Sequence, residues 1–140
     1  MRRWVILAAA MALLAAPAAQ ADIGATIAAT TVHRGGYLRG TGNGSGLPLY
    51  LVPERKAPLL YRCHGKGFCA PRTKRPPRRP YVFLGRLRRT RDFYAMQHFR
   101  FRVPMVRPGG YKVVMWCRPC GGSLLLAGST RFGQTVTVLP

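Results

Sequence analysis

The stretch Pro108-Gly109-Gly110-Tyr111-Lys112-Val113-Val114-Met115-Trp116-Cys117-Arg118-Pro119-Cys120 is the key to the fold of this chain. It opens with a Pro-Gly-Gly turn. Apolar residues then recur at every second position, which predicts a half-buried antiparallel β-strand with one face toward a core. The stretch ends in two cysteines that bracket a proline, which predicts a tight turn closed by a structural disulfide. The residues of the predicted core face are Tyr111, Val113, Met115 and Cys117.

Short strands separated by Gly- and Pro-rich turns are predicted on both sides of this stretch. One of them alternates cleanly, so that Phe99, Phe101 and Val103 face a core while Arg100 and Arg102 face water. Gly42–Gly46 is predicted to be a flexible loop. No segment after the N-terminal leader shows helical periodicity with caps. The pattern predicts an all-β, antiparallel sandwich of about seven short strands. The other strands are predicted at Ile23–Val32, Pro48–Val52, Tyr81–Gly85, Leu124–Leu126 and Gln134–Leu139.

Residues 1–21 have the organisation of a secretory signal peptide. Arg2 and Arg3 precede an apolar region, Trp4–Ala16, that is short for a membrane span, and Ala19-Gln20-Ala21 is an A-x-A cleavage site. We expect cleavage after Ala21 and a single mature domain, residues 22–140. No second hydrophobic segment follows, so no transmembrane segment is expected in the mature chain. The predicted location is secreted or extracytoplasmic.

The cysteines are predicted to form two structural disulfides, because an even number in a small exported domain favours oxidation. Three connectivities are open, and the two local pairs are preferred because each encloses a Gly or Pro that permits a tight turn. A zinc site is not expected, since the spacing of the first pair is wider than the usual one. No metal or other cofactor is predicted. The cysteines are Cys63, Cys69, Cys117 and Cys120.

The charge of the chain is strongly positive. There are 23 Lys and Arg against 3 Asp and Glu, a formal net charge of +20. Loss of Arg2 and Arg3 with the leader lowers +20 to +18. Such a surface attracts polyanions. The same excess of arginine over lysine is also typical of GC-rich coding sequence, in which arginine fills solvated positions, and composition alone does not separate the two explanations.

Residues 54–80 are predicted to be a basic, Pro-rich insertion, stapled by a disulfide and with little regular structure. Its arginines and those just after it are the predicted polyanion-binding residues. Because export separates the protein from nucleic acid, an anionic cell-wall or envelope polymer is the expected partner. Tyr81 and Phe83 are expected in the core, so base stacking is not predicted. The binding residues are Arg72, Lys74, Arg75, Arg78, Arg79, Arg86, Arg88, Arg89 and Arg91.

Trp116-Cys117-Arg118-Pro119-Cys120 resembles the active-site motif of thioredoxin-like oxidoreductases. That resemblance implies a redox enzyme in which Cys117 and Cys120 exchange disulfides with a substrate. The family places the first cysteine at the start of a long helix. Here Gly121-Gly122 follows at once, and only 20 residues remain after Cys120. An exported thiol-disulfide oxidoreductase is therefore the alternative function, and a structural disulfide is the expectation.

A broader part of the chain resembles exported bacterial immunoglobulin-like domains. The similar residues are Val32-x-x-Gly35-Gly36-x-Leu38-x-Gly40-x-Gly42, then Val103-Pro104 through Pro108-Gly109-Gly110-Tyr111, and the closing strand Gln134–Leu139. The resemblance implies an immunoglobulin-like sandwich with a tyrosine corner at Tyr111. The Cys and Trp of antibody domains are missing from the corresponding strands. The implied role is a secreted or cell-surface, non-catalytic binding or structural protein.

Overall fold

The structure is a computed structural model that describes residues 23–56, 61–64, 68–71, 77–120, 122–128 and 133–140, with 61–64 and 68–71 described by their backbone alone. The described residues form eleven β-strands and one 3₁₀ turn, Glu54–Lys56, and no α-helix occurs among them. The all-β expectation is confirmed, with more strands than the seven expected. The strands are β1 (Ala25–Ile27), β2 (Thr31–His33), β3 (Tyr37–Gly42), β4 (Pro48–Pro53), β5 (Tyr61–His64), β6 (Phe68–Pro71), β7 (Val82–Arg86), β8 (Gln97–Arg102), β9 (Gly109–Cys117), β10 (Ser123–Leu126) and β11 (Thr135–Leu139).

Two sheets and one separate hairpin account for these strands. The smaller sheet has the order β1-β3-β8, and the larger has the order β2-β11-β9-β4-β7. In the larger sheet β4 borders one edge of β9, while β11 and β10 border successive halves of its other edge. All pairs are antiparallel except β2 with β11. The hairpin β5-β6 gives part of the 54–80 insertion regular structure, so the expectation of an irregular segment is wrong there.

The predicted first strand is two strands that belong to different sheets. β1 pairs with β3 in the smaller sheet, and β2 pairs with β11 in the larger. The Gln134 side chain bonds the backbone where the chain leaves β1. Its Oε1 accepts from Ile27 N at 3.1 Å, and its Nε2 donates to Ile27 O at 3.0 Å. These bonds satisfy two polar backbone groups that would otherwise lack a neighbouring strand.

The main core lies between the two sheets and follows the predicted alternation. Leu38 and Phe99 of the smaller sheet are buried in one cluster with Leu51, Val113 and Val136 of the larger. Arg100 and Arg102 are exposed on the opposite face of β8, as predicted. The predicted inward face of β9 also belongs to this cluster. The hydrophobic pattern of these strands was therefore sufficient to orient both sheets.

The outward face of β9 is buried as well, and the prediction that this strand is half-buried is wrong. Val114 and Trp116 alternate with the inward residues and form a second cluster with Val52 of β4 and Leu124 of β10. Val52 and Val114 are fully buried. A run without polar residues on either face is typical of a strand buried on both sides. The stretch Val113–Trp116 has that composition.

The edge strand β7 differs from the expected orientation because of a register shift. Tyr50 pairs with Phe83 and Leu49 with Gly85, so Leu84 has no partner on β4. Such a bulge interrupts the strict alternation of side chains. Leu84 is buried in the main core, whereas Phe83 is 52% exposed. The expectation that Phe83 lies in the core is wrong, since the bulge gives that position to Leu84.

Tyr111 bonds the turn that precedes β9. Its hydroxyl donates to Arg107 O at 2.7 Å, and its ring is buried in the main core. We expect Tyr111→Phe to lower the free energy of unfolding by about 1–2 kcal/mol, because the Arg107 carbonyl loses its partner while the ring stays in place. Urea denaturation measures the change. Tyr37→Phe is the control, since its ring is 51% exposed. Equal stability of the two variants would contradict a role for the bond.

Candidate functional site

Arginines cluster where the chain enters, follows and leaves β7. We call residues 78–91 the arginine segment. The six arginines of this segment are all exposed, as expected of binding residues. Arg72, Lys74 and Arg75, which belong to the same predicted site, lie outside the described residues. The six described members are Arg78, Arg79, Arg86, Arg88, Arg89 and Arg91.

The loop after β7, which carries three of these arginines, is tied to β8 by a side-chain amide. Gln97 is buried, and its Oε1 accepts from Arg88 N at 2.8 Å. Its Nε2 donates to Arg88 O at 3.1 Å, and the same carbonyl accepts from Gly46 N at 3.2 Å. Arg88 therefore has both backbone groups bonded, and its position relative to the sheet is set by a buried partner.

A second anchor joins the arginine segment to residues 42–46. Thr90 N donates to Ser45 Oγ at 2.7 Å, and Ser45 Oγ donates to Thr90 O at 3.0 Å. Arg86 Nη1 donates to Gly46 O at 2.9 Å. Gly46 has a φ of 73°, a conformation that glycine adopts without strain. The predicted flexible loop is thus a turn that holds the arginine segment in place.

The positive charges of the arginine segment have no acidic partner within the described part of the chain. The one ion pair found there joins Lys112 Nζ to Glu54 Oε1 at 3.6 Å. Asp92 lies next to the segment, but its Oδ1 accepts from Tyr94 N at 2.9 Å. Arg86 already donates one bond to Gly46 O, and the guanidinium groups of the segment can bind anions in a planar, two-pronged manner. The surface is therefore electrostatically uncompensated.

Three aromatic rings lie beside this surface on the outer face of the larger sheet. The Tyr50 ring is edge-to-face with Phe83 at 5.7 Å and with Tyr81 at 6.4 Å between centroids. Tyr81 N donates to Arg78 O at 2.9 Å, which places the group next to the arginines. Local alternation did not indicate this group, because a bulge is a feature of strand pairing that one strand's sequence does not show.

Glu54 and Lys112 form a compact polar network at the end of β4. Lys112 is buried, and its Nζ donates to Thr135 Oγ1 at 2.7 Å and to Gly133 O at 3.2 Å. Thr135 Oγ1 in turn donates to Glu54 Oε1 at 2.8 Å. A cleft of 630 Å³ lies alongside, lined in part by Glu54, Arg107 and Tyr111. The network gives the buried ammonium its partners, which indicates a structural role.

Cys117 and Cys120 form a disulfide with a Cα–Cα distance of 5.2 Å. The predicted local pairing is confirmed for these two. Cys117 is fully buried at the end of β9, and the chain returns along β9 as β10. Cys63 and Cys69 are directly opposite each other in the β5-β6 hairpin. Antiparallel partners lie within the Cα separation that a disulfide requires, and a bond between these two stays a prediction.

No group of three or more His, Cys, Asp or Glu is placed to hold a metal ion among the residues that the structure describes. Met115 is core, as predicted, while Met96 and Met105 are exposed. In the same part of the chain, no helix has the length and apolar character needed to cross a membrane. The predicted signal peptide, residues 1–21, lies outside the described residues.

Comparison of the chain with protein-family models, curated proteins and solved structures finds no match. The arrangement of the described residues is therefore the basis on which a function can be inferred. Two features of that arrangement are suited to binding a ligand. They are the arginine segment, which has no ion pair with a described residue, and the three aromatic rings beside it.

Proposed function

We propose that this protein is an exported, non-catalytic binding protein that holds an anionic cell-wall or envelope polymer through the arginine segment. All six described arginines are exposed, and none of them forms an ion pair with another described residue. This observation carries the proposal. Phosphate and carboxylate groups of a linear polymer are the natural partners of such guanidinium groups. The attraction is electrostatic and weakens as salt screens it.

The anchoring of the arginine segment supports binding rather than mere solvation. Gln97 and Ser45 bond the loop backbone at two points, so the loop does not have to be ordered when a ligand binds. A pre-ordered loop retains binding free energy that a mobile one loses to conformational entropy. If the arginines were present only for compositional reasons, a buried glutamine such as Gln97 would not be expected to fix the backbone of Arg88.

The fold that best fits this role is an immunoglobulin-like sandwich. The strand order supports it: the first strand is divided between the sheets, and its second half runs parallel to the last strand. The Tyr111 hydroxyl bond to Arg107 O has the geometry of a tyrosine corner. The fold alone assigns no ligand, so the polymer is inferred from the surface.

The non-catalytic and exported parts of the proposal draw on the disulfide. A redox cysteine must be accessible to attack its substrate, whereas Cys117 is fully buried. A stable disulfide also suits an oxidising compartment outside the cytoplasm. Within the described residues the Cys117–Cys120 pair closes a β-hairpin connection rather than starting a helix. These features support a structural crosslink over the oxidoreductase alternative.

Removal of three arginines should weaken polymer binding. We expect Arg78→Ser, Arg88→Ser and Arg91→Ser together to lower affinity for heparin or teichoic acid by roughly a hundredfold, at about 1 kcal/mol for each cationic side chain lost at a polyanion surface. The variant should leave a heparin column at much lower salt than the unmodified protein. Titration at several salt concentrations should also show a shallower dependence of log K on log salt.

The matched control removes three exposed arginines from elsewhere on the larger sheet and its turns. Arg55→Ser, Arg107→Ser and Arg118→Ser lower the net charge by the same amount and lie outside the arginine segment. We expect this control to keep most of the affinity. If both triple variants elute together, binding depends on net charge alone, and the assignment to the arginine segment is wrong.

A further inference from the structure

The solvent face of the smaller sheet carries a second set of cationic and polar side chains. β3 and β8 alternate, with Leu38 and Phe99 buried against the larger sheet. The residues between them therefore point away from the core. None of these positions belongs to the arginine segment. The outward residues of the two strands are Tyr37, Arg39, Thr41, His98, Arg100 and Arg102.

Two arginines face each other across this surface. Arg39 is the direct cross-strand partner of Arg100, and both are exposed. Like charges in directly opposite positions destabilise a sheet, and such positions usually hold unlike or neutral pairs. The Arg100 guanidinium lies 3.8 Å from the centre of the Tyr37 ring. That stacking holds Arg100 in place without supplying a negative charge.

No carboxylate of the described residues offsets these charges. Glu54 lies beside the larger sheet and pairs with Lys112. Asp92 lies in the loop before β8, where its Oδ1 accepts from Tyr94 N. Arg102 Nε donates to Gly35 O at 3.2 Å, a neutral acceptor. Within the described residues, neither Arg39 nor Arg100 has an ion-pair partner.

The same face has a depression next to the arginine pair. Thr26 of β1 and Ala28, which follows that strand, have short side chains and lie beside the long side chain of Arg39. This difference in length leaves a depression of 510 Å³ over the sheet. The residues that line it include two threonines, a histidine and two arginines. These residues are Thr26, Thr41, His98, Arg39 and Arg100.

We propose that this depression is a phosphate-binding site. The two guanidinium groups supply paired N–H donors, and the threonine hydroxyls and His98 ring add donors from other directions. A phosphate group offers oxygens in several directions, whereas a carboxylate has two oxygens in one plane, so phosphate makes fuller use of the set. The donors stand on paired strands, which hold their spacing. The site binds a phosphate group of a polymer independently of the arginine segment.

The test is the effect of inorganic phosphate on the intact protein. At equal ionic strength and pH, phosphate should raise the melting temperature above its value in chloride, because a ligand that binds the folded state stabilises it. Calorimetric titration should show a Kd that rises about tenfold or more when Arg39→Gln and Arg100→Gln are combined, since charge-assisted bonds are lost. Acetate should stabilise the protein less than phosphate does.

Two controls separate this site from general charge effects. Arg55→Gln with Arg118→Gln removes equal charge from other exposed positions and should leave the phosphate shift intact. The arginine-segment variant should keep the shift too, so failure of one proposal does not decide the other.

In phosphate-free buffer of low salt, the Arg39→Gln, Arg100→Gln variant should melt at a higher temperature than the unmodified protein, because the opposed charges are gone.

Three outcomes would overturn the proposal. The first is a melting temperature for the unmodified protein that is equal in phosphate and in chloride. The second is an equal loss of the phosphate shift in the two double variants, which indicates unspecific charge binding. The third is stabilisation by acetate that matches phosphate, which assigns the site to carboxylates.

Discussion

Replacement of Gly40 by alanine is expected to destabilise the folded protein by about 3 kcal/mol, because overpacking in a rigid site forces the backbone to move. A Cβ at this position would overlap the Thr26 carbonyl oxygen and lie 2.5 Å from the Phe99 ring. Neither neighbour can yield easily. Gly40 is paired with Ile27 on one side and with Phe99 on the other. The substitution therefore separates β1 from β3 or displaces a core ring.

Gly24→Ala is the matched control for this prediction. A Cβ at Gly24 meets no atom within 4 Å, so the same chemical change is made where there is room. Denaturation in urea gives the free energy of unfolding for each variant, and an unchanged slope shows that both unfold in the same manner. We expect Gly24→Ala to unfold at nearly the same urea concentration as the unmodified protein. Similar midpoints for the two variants would mean that β1 is not held as closely as described.

Trp116→Ala is expected to lower the free energy of unfolding by about 3–5 kcal/mol, the range for removal of a large buried aromatic ring. Trp116 is 6% exposed and packs with Val52, Val114 and Leu124 on the outer face of the larger sheet. The ring is the largest side chain of that second cluster. Its loss leaves a cavity between β4, β9 and β10, which paired strands cannot collapse to fill.

Phe83→Ala serves as the comparison, because this ring lies on the outer face of the larger sheet and is 52% exposed. We expect it to cost about 1 kcal/mol or less, since little apolar surface is returned to water. Thermal unfolding of the two variants at one protein concentration is sufficient to rank them. A small effect of Trp116→Ala would show that the second cluster contributes little to stability.

The Trp-Cys-x-Pro-Cys motif is in this light a packing and crosslinking element. Trp116 and Cys117 are adjacent in sequence and point to opposite faces of β9, one into each hydrophobic cluster. In a thioredoxin-like site, the first cysteine has to be reachable by a substrate disulfide. At the end of β9, the Trp116 ring packs in the outer cluster and the Cys117 sulfur packs in the main core. The two residues therefore fill the two hydrophobic clusters on opposite faces of this strand.

Several features of this protein were predictable from residue pattern. The alternation in Phe99–Val103 and in the closing strand identified the inward faces of β8 and β11, because a β-strand has a side-chain period of two. The positions of Gly and Pro marked the turns. The proximity of Cys117 and Cys120 in sequence favoured their local pairing, which the structure confirms. Exposure of the described arginines in residues 78–91 followed from the cost of burying charge.

Other features required the strand pairing to be known. The bulge opposite Leu49 moved Phe83 outward, and the first strand is divided beside Ile27, whose backbone bonds Gln134, a residue distant in sequence. Burial of Trp116 depends on β4 and β10 standing on either side of β9. Each of these is a contact between segments that one local window does not contain.

The amino-acid sequence by itself determined the all-β class, the inward faces of the regular strands and the location of the arginine segment, and it favoured the short disulfide over the other pairings. These follow from local rules: side-chain period, turn chemistry, and the cost of burying charge. Only the tertiary structure decided that Arg39 faces Arg100, that Phe83 is exposed and that both faces of β9 are covered. The reason is register. Which residues stand opposite one another depends on how distant strands align, and a shift of one residue exchanges the two faces.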